Sequence, residues 1–313
     1  MTMSVNPGNC GLSTQIVAGL VKRWWQFTAN HKKASSIAPI VAGFLSFALP
    51  VQALQVVVTP PNPELGDTLS VIIQVDAKGG ETPKVSVQQQ NYPAFAIGNG
   101  RFRALVPTTP LEKPGARLLQ VSGDGQVQKL SVQVRDRDFP TQSIWLPPGK
   151  DSEGTDAEFD RVDAFKALVT PQKFWDGKLL RPNSGEITTI YGVRRYYNGV
   201  FAKDYYHRGV DYAGDYGSAV VAPAAGRVSL VGRESQGFKI HGNVVGIDHG
   251  QGVASILMHL SRIDVKEGDF VKAGQVIGAL GSTGASTGPH LHWGLYVHGQ
   301  SVDPVPWRLQ GVE

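Results

Sequence analysis

Residues 288–299 read GPHLHWGLYVHG and predict a β-strand that carries two histidines on one face. Successive side chains of a strand point to opposite faces, so His290 and His292 share one face while Leu291 and Trp293 share the other. Two imidazoles side by side suggest a metal site or a catalytic pair. A solvated strand face explains a lone H-x-H about as well, so the rest of the chain has to decide between these interpretations.

The other histidines of the chain concentrate in the same region. His31 lies near the N-terminus, and the remaining seven of the eight histidines fall between positions 207 and 298. His207 and Asp211 are four residues apart in HRGVD, and His259 lies in LMHLS. Gly209 and the β-branched valine after it favour an extended segment over a helix between His207 and Asp211.

This set of histidine and carboxylate side chains predicts a catalytic metal site. Catalytic zinc typically has three protein ligands of N and O type and keeps a fourth position for water. Five candidate groups are more than a structural site uses, so at least one histidine should be free for proton transfer. No glutamate stands where the base of an H-E-x-x-H protease would be. The general base is therefore most simply His259 or His290.

The first 53 residues have the order of a secretory signal. They contain four basic and no acidic residues, followed by an apolar run from Ile37 to Leu49 and then Pro50-Val51-Gln52-Ala53. Cleavage after the small residue would leave Leu54 as the first mature residue. The run is shorter than the roughly 20 apolar residues of a membrane span, and the alternative is an uncleaved membrane anchor.

Removal of this segment changes what the charge and the cysteine content imply. The whole chain has a formal net charge of +4, but without the four basic residues of the signal it has 26 basic and 26 acidic residues. The mature chain then has no net charge, and no stripe of lysine and arginine indicates a nucleic-acid partner. Cys10, the only cysteine, is lost as well. This excludes a thiol nucleophile, a disulfide framework and a thiolate zinc site for the mature protein.

The short apolar runs predict two all-β domains. Residues 54–137 contain about seven short strands separated by turn signals, the pattern of an immunoglobulin-like β-sandwich. Residues 138–180 read as a linker rich in proline and glycine, with a short helix that begins at a capping-box pattern of Thr155 and Glu158. Residues 181–313 return to short strands punctuated by glycine, as in barrel-sandwich folds.

The segment from about Ile187 to Trp307 resembles the lysostaphin-type (LytM-type) zinc metallopeptidases, which cut the peptide part of bacterial peptidoglycan. The motifs that carry the resemblance are, in chain order, YGVRR, HRGVDYAG, VVAPAAGRV, GNVVGIDHG, MHLS, VKEGDFVKAGQVIG and GSTGASTGPHLHWGL. The H-x-x-x-D and H-x-H motifs, with a histidine before Leu-Ser between them, are specific together and weak apart. The resemblance implies that residues 181–313 form a lysostaphin-like barrel-sandwich (duplicated hybrid motif) metallopeptidase domain.

The resemblance also implies roles for individual residues. It implies one Zn2+ per chain held by His207, Asp211 and His292. His259 and His290 would then be the catalytic pair, which orients or deprotonates the water on the zinc and hydrogen-bonds the oxyanion.

Residues around these motifs have less specific interpretations. Tyr191 is a candidate oxyanion or substrate donor. Arg195 is a candidate for binding a substrate carboxylate, with solvated surface charge as the alternative. The family often has an aromatic residue two positions before the middle histidine, where Leu257 would alter the groove wall of this chain. Three histidines next to turn signals are interpreted as surface turn residues: His241, His249 and His298.

The expected function is an exported zinc endopeptidase that acts on peptidoglycan peptide stems or cross-bridges, in the periplasm, the cell wall or outside the cell. Other cell-wall or division proteins are expected as further partners. One alternative is a non-catalytic relative that binds the wall or activates another hydrolase, although such relatives typically lack zinc ligands or catalytic histidines. Another is a biotinyl or lipoyl carrier, which VKEGDFVKAGQVIG suggests but which lacks a lysine at a hairpin tip. A further hypothesis is that residues 139–180 cover the groove in a resting state.

Overall fold

The computed structural model describes residues 54–75, 81–145 and 154–312. The predicted signal sequence lies outside these residues. Within the described ranges, no helix is long and apolar enough to cross a membrane. Apart from two short helices and one 3-10 turn, the regular elements in these ranges are β-strands, which confirms the predicted all-β fold class.

The N-terminal part is a β-sandwich of two antiparallel four-stranded sheets. Its strands are β1 (Gln55–Thr59), β2 (Thr68–Gln74), β3 (Lys84–Val87), β4 (Gln90–Pro93), β5 (Phe95–Gly98), β6 (Arg101–Pro107), β7 (Gly115–Gly123) and β8 (Gln126–Val134). One sheet has the order β1-β2-β6-β5 and the other β4-β3-β7-β8. Alternate apolar residues, such as Val71 and Ile73 of β2 and Leu119 and Val121 of β7, are buried in the core that both sheets share.

The C-terminal part is built on an eight-stranded sheet. The remaining elements are β9 (Thr141–Ile144), α1 (Asp156–Lys166), β10 (Glu186–Thr189), β11 (Arg194–Tyr197), β12 (Val200–Phe201), β13 (Val210–Ala213), β14 (Ala219–Val221), β15 (Gly226–Gly232), the 3-10 turn (Glu234–Gln236), β16 (Val244–Gly250), β17 (Val253–Met258), β18 (Arg262–Ile263), β19 (Phe270–Val271), β20 (Val276–Ala279), β21 (His290–Val297), β22 (Gln300–Val302) and α2 (Pro304–Leu309). The large sheet has the order β10-β13-β21-β17-β16-β15-β19, and β22 also pairs with β21. A smaller sheet, β14-β20-β18, accompanies it.

The two faces of the large sheet bury different residues. Odd-numbered residues of β21, such as Trp293, belong to the main core of the C-terminal part. Even-numbered residues face the other way, and Tyr296 packs there in a cluster with Phe165 of α1. Because side chains alternate along a strand, α1 lies on the same face of the sheet as His290 and His292.

The residues that the sequence predicts as a linker are largely built into the fold. β9 pairs in parallel with β11, which also pairs with β12. α1 begins after its N-cap Thr155, whose hydroxyl accepts a hydrogen bond from the Glu158 N–H at 3.1 Å. The reciprocal half of the predicted capping box is not formed, because the Glu158 carboxylate accepts hydrogen bonds from residues 239–241 instead.

The sandwich and the C-terminal part share a packed interface. Leu105 of β6 belongs to the core cluster of the C-terminal part. Arg103 is only 2% exposed and donates to Gln251 Oε1 at 2.6 Å, and Trp307 Nε1 donates to Thr68 Oγ1 at 3.1 Å. The sandwich and the C-terminal part are therefore joined by buried packing and by hydrogen bonds.

Candidate metal centre

Three side chains converge on the sheet face that α1 shares. His207 Nε2 lies 3.0 Å from Asp211 Oδ1 and 3.1 Å from His292 Nδ1, and the last two atoms are 2.9 Å apart. All three residues are buried. The structure thus brings together the three residues to which the resemblance assigns the zinc.

Strand register and one glycine explain why these side chains meet. β13 and β21 are antiparallel neighbours, and Asp211 lies directly opposite His292. Opposed residues of neighbouring strands point to the same face with Cβ atoms about 5 Å apart. His207 precedes β13, and Gly209 lies between it and Asp211. A Cβ atom at Gly209 would lie 2.3 Å from the Trp293 carbonyl oxygen and 2.8 Å from His292 Nε2. Only glycine fits this close approach.

The three donor atoms fit a zinc ion. With metal–ligand bonds of about 2.0 Å, two ligands of a tetrahedral zinc lie about 3.3 Å apart, close to the separations found here. The Nδ1–H of His207 donates to the Ile190 carbonyl at 2.8 Å. A carbonyl can only accept, so His207 Nε2 is left as a lone-pair donor to a metal. Two histidines and a carboxylate are ligands that zinc commonly takes.

The buried environment also sets suitable protonation states. Burial alone would raise the pKa of Asp211, but its close contacts with the His207 and His292 rings outweigh burial and hold that pKa well below its usual range. Burial lowers the pKa of His292 to about 4. At neutral pH the carboxyl is therefore ionised and the imidazole neutral, which are the forms that bind a metal.

Two further histidines lie beside these ligands. The ring centroids of His259 and His290 are 4.6 Å apart, and that of His259 is 6.4 Å from that of His292. His259 Nδ1–H donates to the Thr283 carbonyl at 2.9 Å, and His290 Nδ1–H donates to the Gly288 carbonyl at 2.8 Å. Both rings are thereby fixed with Nδ1 as the donor. Burial lowers the pKa of His259 to about 3, so its ring is neutral at pH 7.

His259 has an unusual backbone conformation. Its φ of 64° lies in the left-handed region, which non-glycine residues seldom occupy. Its N–H donates to the His241 carbonyl at 3.1 Å. Residues held in sparsely populated backbone regions cluster at functional sites. Nothing in the residue types signals the carbonyls of Ile190 and Thr283 that orient the rings, because every residue supplies a carbonyl.

Tyr191 does not lie at this centre. It is only 1% exposed, and its hydroxyl donates to the Ser301 carbonyl at 2.7 Å. Its ring lies against Gly66 of the sandwich, where a Cβ atom would be 2.8 Å from Cε1. This placement contradicts a role in binding substrate or oxyanion, so we leave Tyr191 out of the proposed site.

Arg195 lies beside the centre. Its Nη2 is 3.9 Å from Asp211 Oδ2, and only 13% of its side chain is exposed. Its Nη1 also donates to the Tyr197 hydroxyl at 3.3 Å. The alternative of a solvated surface charge is therefore wrong, and the guanidinium adds a buried positive charge next to a metal-ligand candidate.

Two further expectations are corrected by burial. Leu257 is fully buried on the core face of β17, opposite to the metal-ligand candidates, so it does not form the groove wall. His249 is also fully buried, within β16, and its Nε2 accepts a hydrogen bond from the Ser255 hydroxyl at 2.8 Å. His298 does lie in a turn, between β21 and β22, and His241 lies in a turn where it is half-buried.

Comparison with known proteins agrees with the motifs. Residues 205–304 match Peptidase family M23. The DD-carboxypeptidase/endopeptidase Mpg of Neisseria meningitidis serogroup B is 38% identical over 143 residues, which are 43% of this chain and 32% of that protein. Lysostaphin of Staphylococcus simulans is 42% identical over 106 residues, which are 32% of this chain and 21% of that protein.

The similarity to a solved structure extends further along the chain. A crystal structure described as a candidate peptidase M23 from Pseudomonas aeruginosa has a TM-score of 0.59 and 28% sequence identity, and the match covers 82% of this chain and 97% of that one. By contrast, the chain spans 22 to 32% of the length of the curated relatives it matches first. The matched residues 205–304 include all five histidine and aspartate residues of the centre. The chain therefore carries a domain of peptidase family M23, the family that its motifs predict.

Proposed function

We propose that this protein is an exported zinc endopeptidase that hydrolyses peptide cross-links of bacterial peptidoglycan. The observation that carries the proposal is the convergence of three metal-ligand atoms within 3.1 Å of one another, with two more histidines beside them. The names of Mpg and lysostaphin support a peptidase. The predicted signal sequence supports export to the periplasm, the cell wall or beyond, where other cell-wall or division proteins are further candidate partners.

His207, Asp211 and His292 would hold the zinc ion. Bound there, zinc supplies Lewis acidity, which polarises a peptide carbonyl and lowers the pKa of water. We assign His259 as the proton acceptor, because its Nδ1–H is committed to a carbonyl and its neutral Nε2 has a free lone pair. We assign His290 to the oxyanion, to which it would donate a hydrogen bond when Nε2 carries a proton.

Arg195 is a candidate residue for substrate binding. Its guanidinium is mostly buried, and its positive charge is only partly balanced by Asp211 Oδ2 at 3.9 Å. A guanidinium forms strong paired hydrogen bonds with a carboxylate. We propose that Arg195 helps to bind a carboxylate of the peptide stem.

The test combines metal content and hydrolysis of purified peptidoglycan by the mature chain, residues 54–313, with released fragments identified by mass spectrometry. His290→Ala should reduce hydrolysis by about 10²- to 10³-fold and leave zinc near one per chain, because it removes the proposed oxyanion donor and no ligand. His207→Ala and Asp211→Ala should each lose both zinc binding and hydrolysis, because each removes a metal ligand. His298→Asn is the matched control, since asparagine tolerates the φ of 47° at that turn.

The outcomes separate the proposal from its alternative. New peptide termini released by the wild type, together with zinc near one per chain, would support the endopeptidase and identify the bond that is cut. Zinc without cleavage would favour a protein that binds the wall or activates another hydrolase. Full activity of His290→Ala would remove that histidine from catalysis.

A further inference from the structure

We infer that Glu158 of α1, outside the residues that match the peptidase family, is a positioning residue that holds the backbone and the ring of His259 in place. The inference rests on the proposed function for the role of His259. This inference differs from the hypothesis that residues 139–180 cover the groove. Here α1 holds a residue of the centre in position and does not block access to it.

Glu158 is buried and its carboxylate is fully used. The side chain is 1% exposed although glutamate is rarely buried without partners. Its oxygens accept hydrogen bonds from three successive backbone N–H groups, those of Lys239 at 2.9 Å, Ile240 at 3.0 Å and His241 at 2.7 Å. The His241 ring lies 2.6 Å away through Nδ1. Successive N–H groups directed at one anion form a nest, so this carboxylate fixes the conformation of residues 239–241.

The anchored segment contacts His259 directly, and Asn243, which follows it in the chain, contacts His259 through Thr283. The His241 carbonyl accepts the N–H of His259 at 3.1 Å. Two residues further on, the Asn243 N–H donates to Thr283 Oγ1 at 2.9 Å, and the Thr283 carbonyl accepts the Nδ1–H of His259, also at 2.9 Å. Glu158 therefore supports both the strained backbone of His259 and the carbonyl that orients its ring.

The metal-ligand candidates are held by other contacts. Asp211 and His292 lie on paired strands, and His207 is oriented by the Ile190 carbonyl. None of these contacts involves residues 239–241. Loss of the Glu158 carboxylate should consequently displace His259 and leave the metal ligands in place.

α1 also has anchors that do not depend on Glu158. Val162 and Phe165 are buried against Leu230 and Ile256 of the large sheet. The Thr155 hydroxyl donates to the Gly237 carbonyl at 3.1 Å. The helix should therefore stay on the sheet when the carboxylate is removed. A substitution of Val162 can accordingly weaken the packing of α1 without removing the carboxylate.

The experiment compares Glu158→Ala and Glu158→Gln with the wild type in the mature chain loaded with zinc, using a soluble peptidoglycan fragment. We expect kcat to fall about 10- to 100-fold in Glu158→Ala, as for a small misplacement of a catalytic group, with KM and zinc content unchanged. Glu158→Gln should retain more activity, because its amide oxygen still accepts hydrogen bonds. Hydrogen exchange should show lost protection at 239–241 and 259, and unchanged protection at 210–213 and 290–297.

Two controls isolate the carboxylate. Asp160→Asn removes the same charge from an exposed position of the same helix and should leave kcat unchanged. Val162→Ala should lower the Tm by weakening the packing of α1, and it should also leave kcat unchanged well below that Tm. A Glu158→Ala enzyme with kcat within twofold of wild type would overturn the inference. So would a loss of kcat in Val162→Ala equal to that in Glu158→Ala.

The exchange measurement keeps this inference separate from the proposed function. An inactive wild type that binds zinc would refute the proposed function alone. Protection at residues 239–241 and 259 that is the same in Glu158→Ala and wild type would refute the positioning role, whatever the activity.

Discussion

Replacing Ser255 by alanine should destabilise the protein far more than the loss of one oxygen atom suggests. Ser255 is fully buried in β17, and its Oγ lies 3.1 Å from Trp293 Nε1 and 2.8 Å from His249 Nε2. The Nδ1–H of His249 donates to the Ala225 carbonyl at 2.9 Å. The serine hydroxyl must therefore donate to His249 and accept from Trp293.

The magnitude follows from the two groups that would lose their partner. In Ser255→Ala, the indole N–H of Trp293 and the Nε2 lone pair of His249 both stay buried without a hydrogen bond. Each buried unsatisfied group costs about 1–3 kcal/mol, so the free energy of unfolding should fall by about 2–6 kcal/mol. The methyl group of alanine occupies nearly the same space, so little of the loss should come from a cavity.

Urea unfolding of a protein that begins at Leu54, followed by far-UV circular dichroism, measures this loss. The urea midpoint should fall with an unchanged slope m, because the surface exposed on unfolding stays the same. Ser229→Ala is the matched control in β15, where the serine hydroxyl makes an exposed contact of 3.3 Å with the Arg227 carbonyl. Its effect should stay within about 0.5 kcal/mol. A decrease in the free energy of unfolding of less than about 1 kcal/mol for Ser255→Ala would refute the proposed hydrogen bonds from Trp293 to Ser255 and from Ser255 to His249.

Three further predictions concern the centre and its surroundings. Gly209→Ala should lower zinc content measured on the purified, folded protein, because the added Cβ would collide with His292; full zinc occupancy would contradict this. Acidification from pH 6.5 towards 4 should lower the free energy of unfolding by up to about 3 kcal/mol through His249. Burial lowers the pKa of His249 in the folded protein to about 4, so over this pH range the imidazole is protonated in the unfolded chain before it is protonated in the folded one. The His249→Gln variant should show a shallower pH dependence in urea titrations. Arg195→Met should raise KM for a peptide stem with a free carboxylate about tenfold without loss of zinc, and an unchanged KM would exclude its role in substrate binding.

The parts of the centre that could be predicted are those determined by local sequence. Strand alternation alone places His290 and His292 on one face, and the glycine between His207 and Asp211 indicates an extended approach. The histidines at 207 and 292 are 85 residues apart, so their contact required the family motif rather than the residue pattern.

Other features depend on contacts between distant segments. The Thr155 and Glu158 pattern correctly predicts a helix start, but the carboxylate accepts hydrogen bonds from residues more than 80 positions away, which a capping rule cannot anticipate. Tyr191 is the first residue of the motif YGVRR and still points into the interface with the sandwich. His249 has a glycine next to it, as a turn residue would, yet it is a buried residue of β16. In each case tertiary packing overrides the local signal.

The left-handed backbone of His259 implies an evolutionary trade-off. A non-glycine residue in this conformation costs on the order of 1 kcal/mol, which glycine would not incur. A glycine at this position would remove that strain, but it would also lose the imidazole, its buried packing and its hydrogen bond to the Thr283 carbonyl. Because the proposed function requires the imidazole, selection for hydrolysis would retain His259 in this strained conformation. Among relatives of this domain, the residue at this position should therefore separate working hydrolases from those that have become binding proteins.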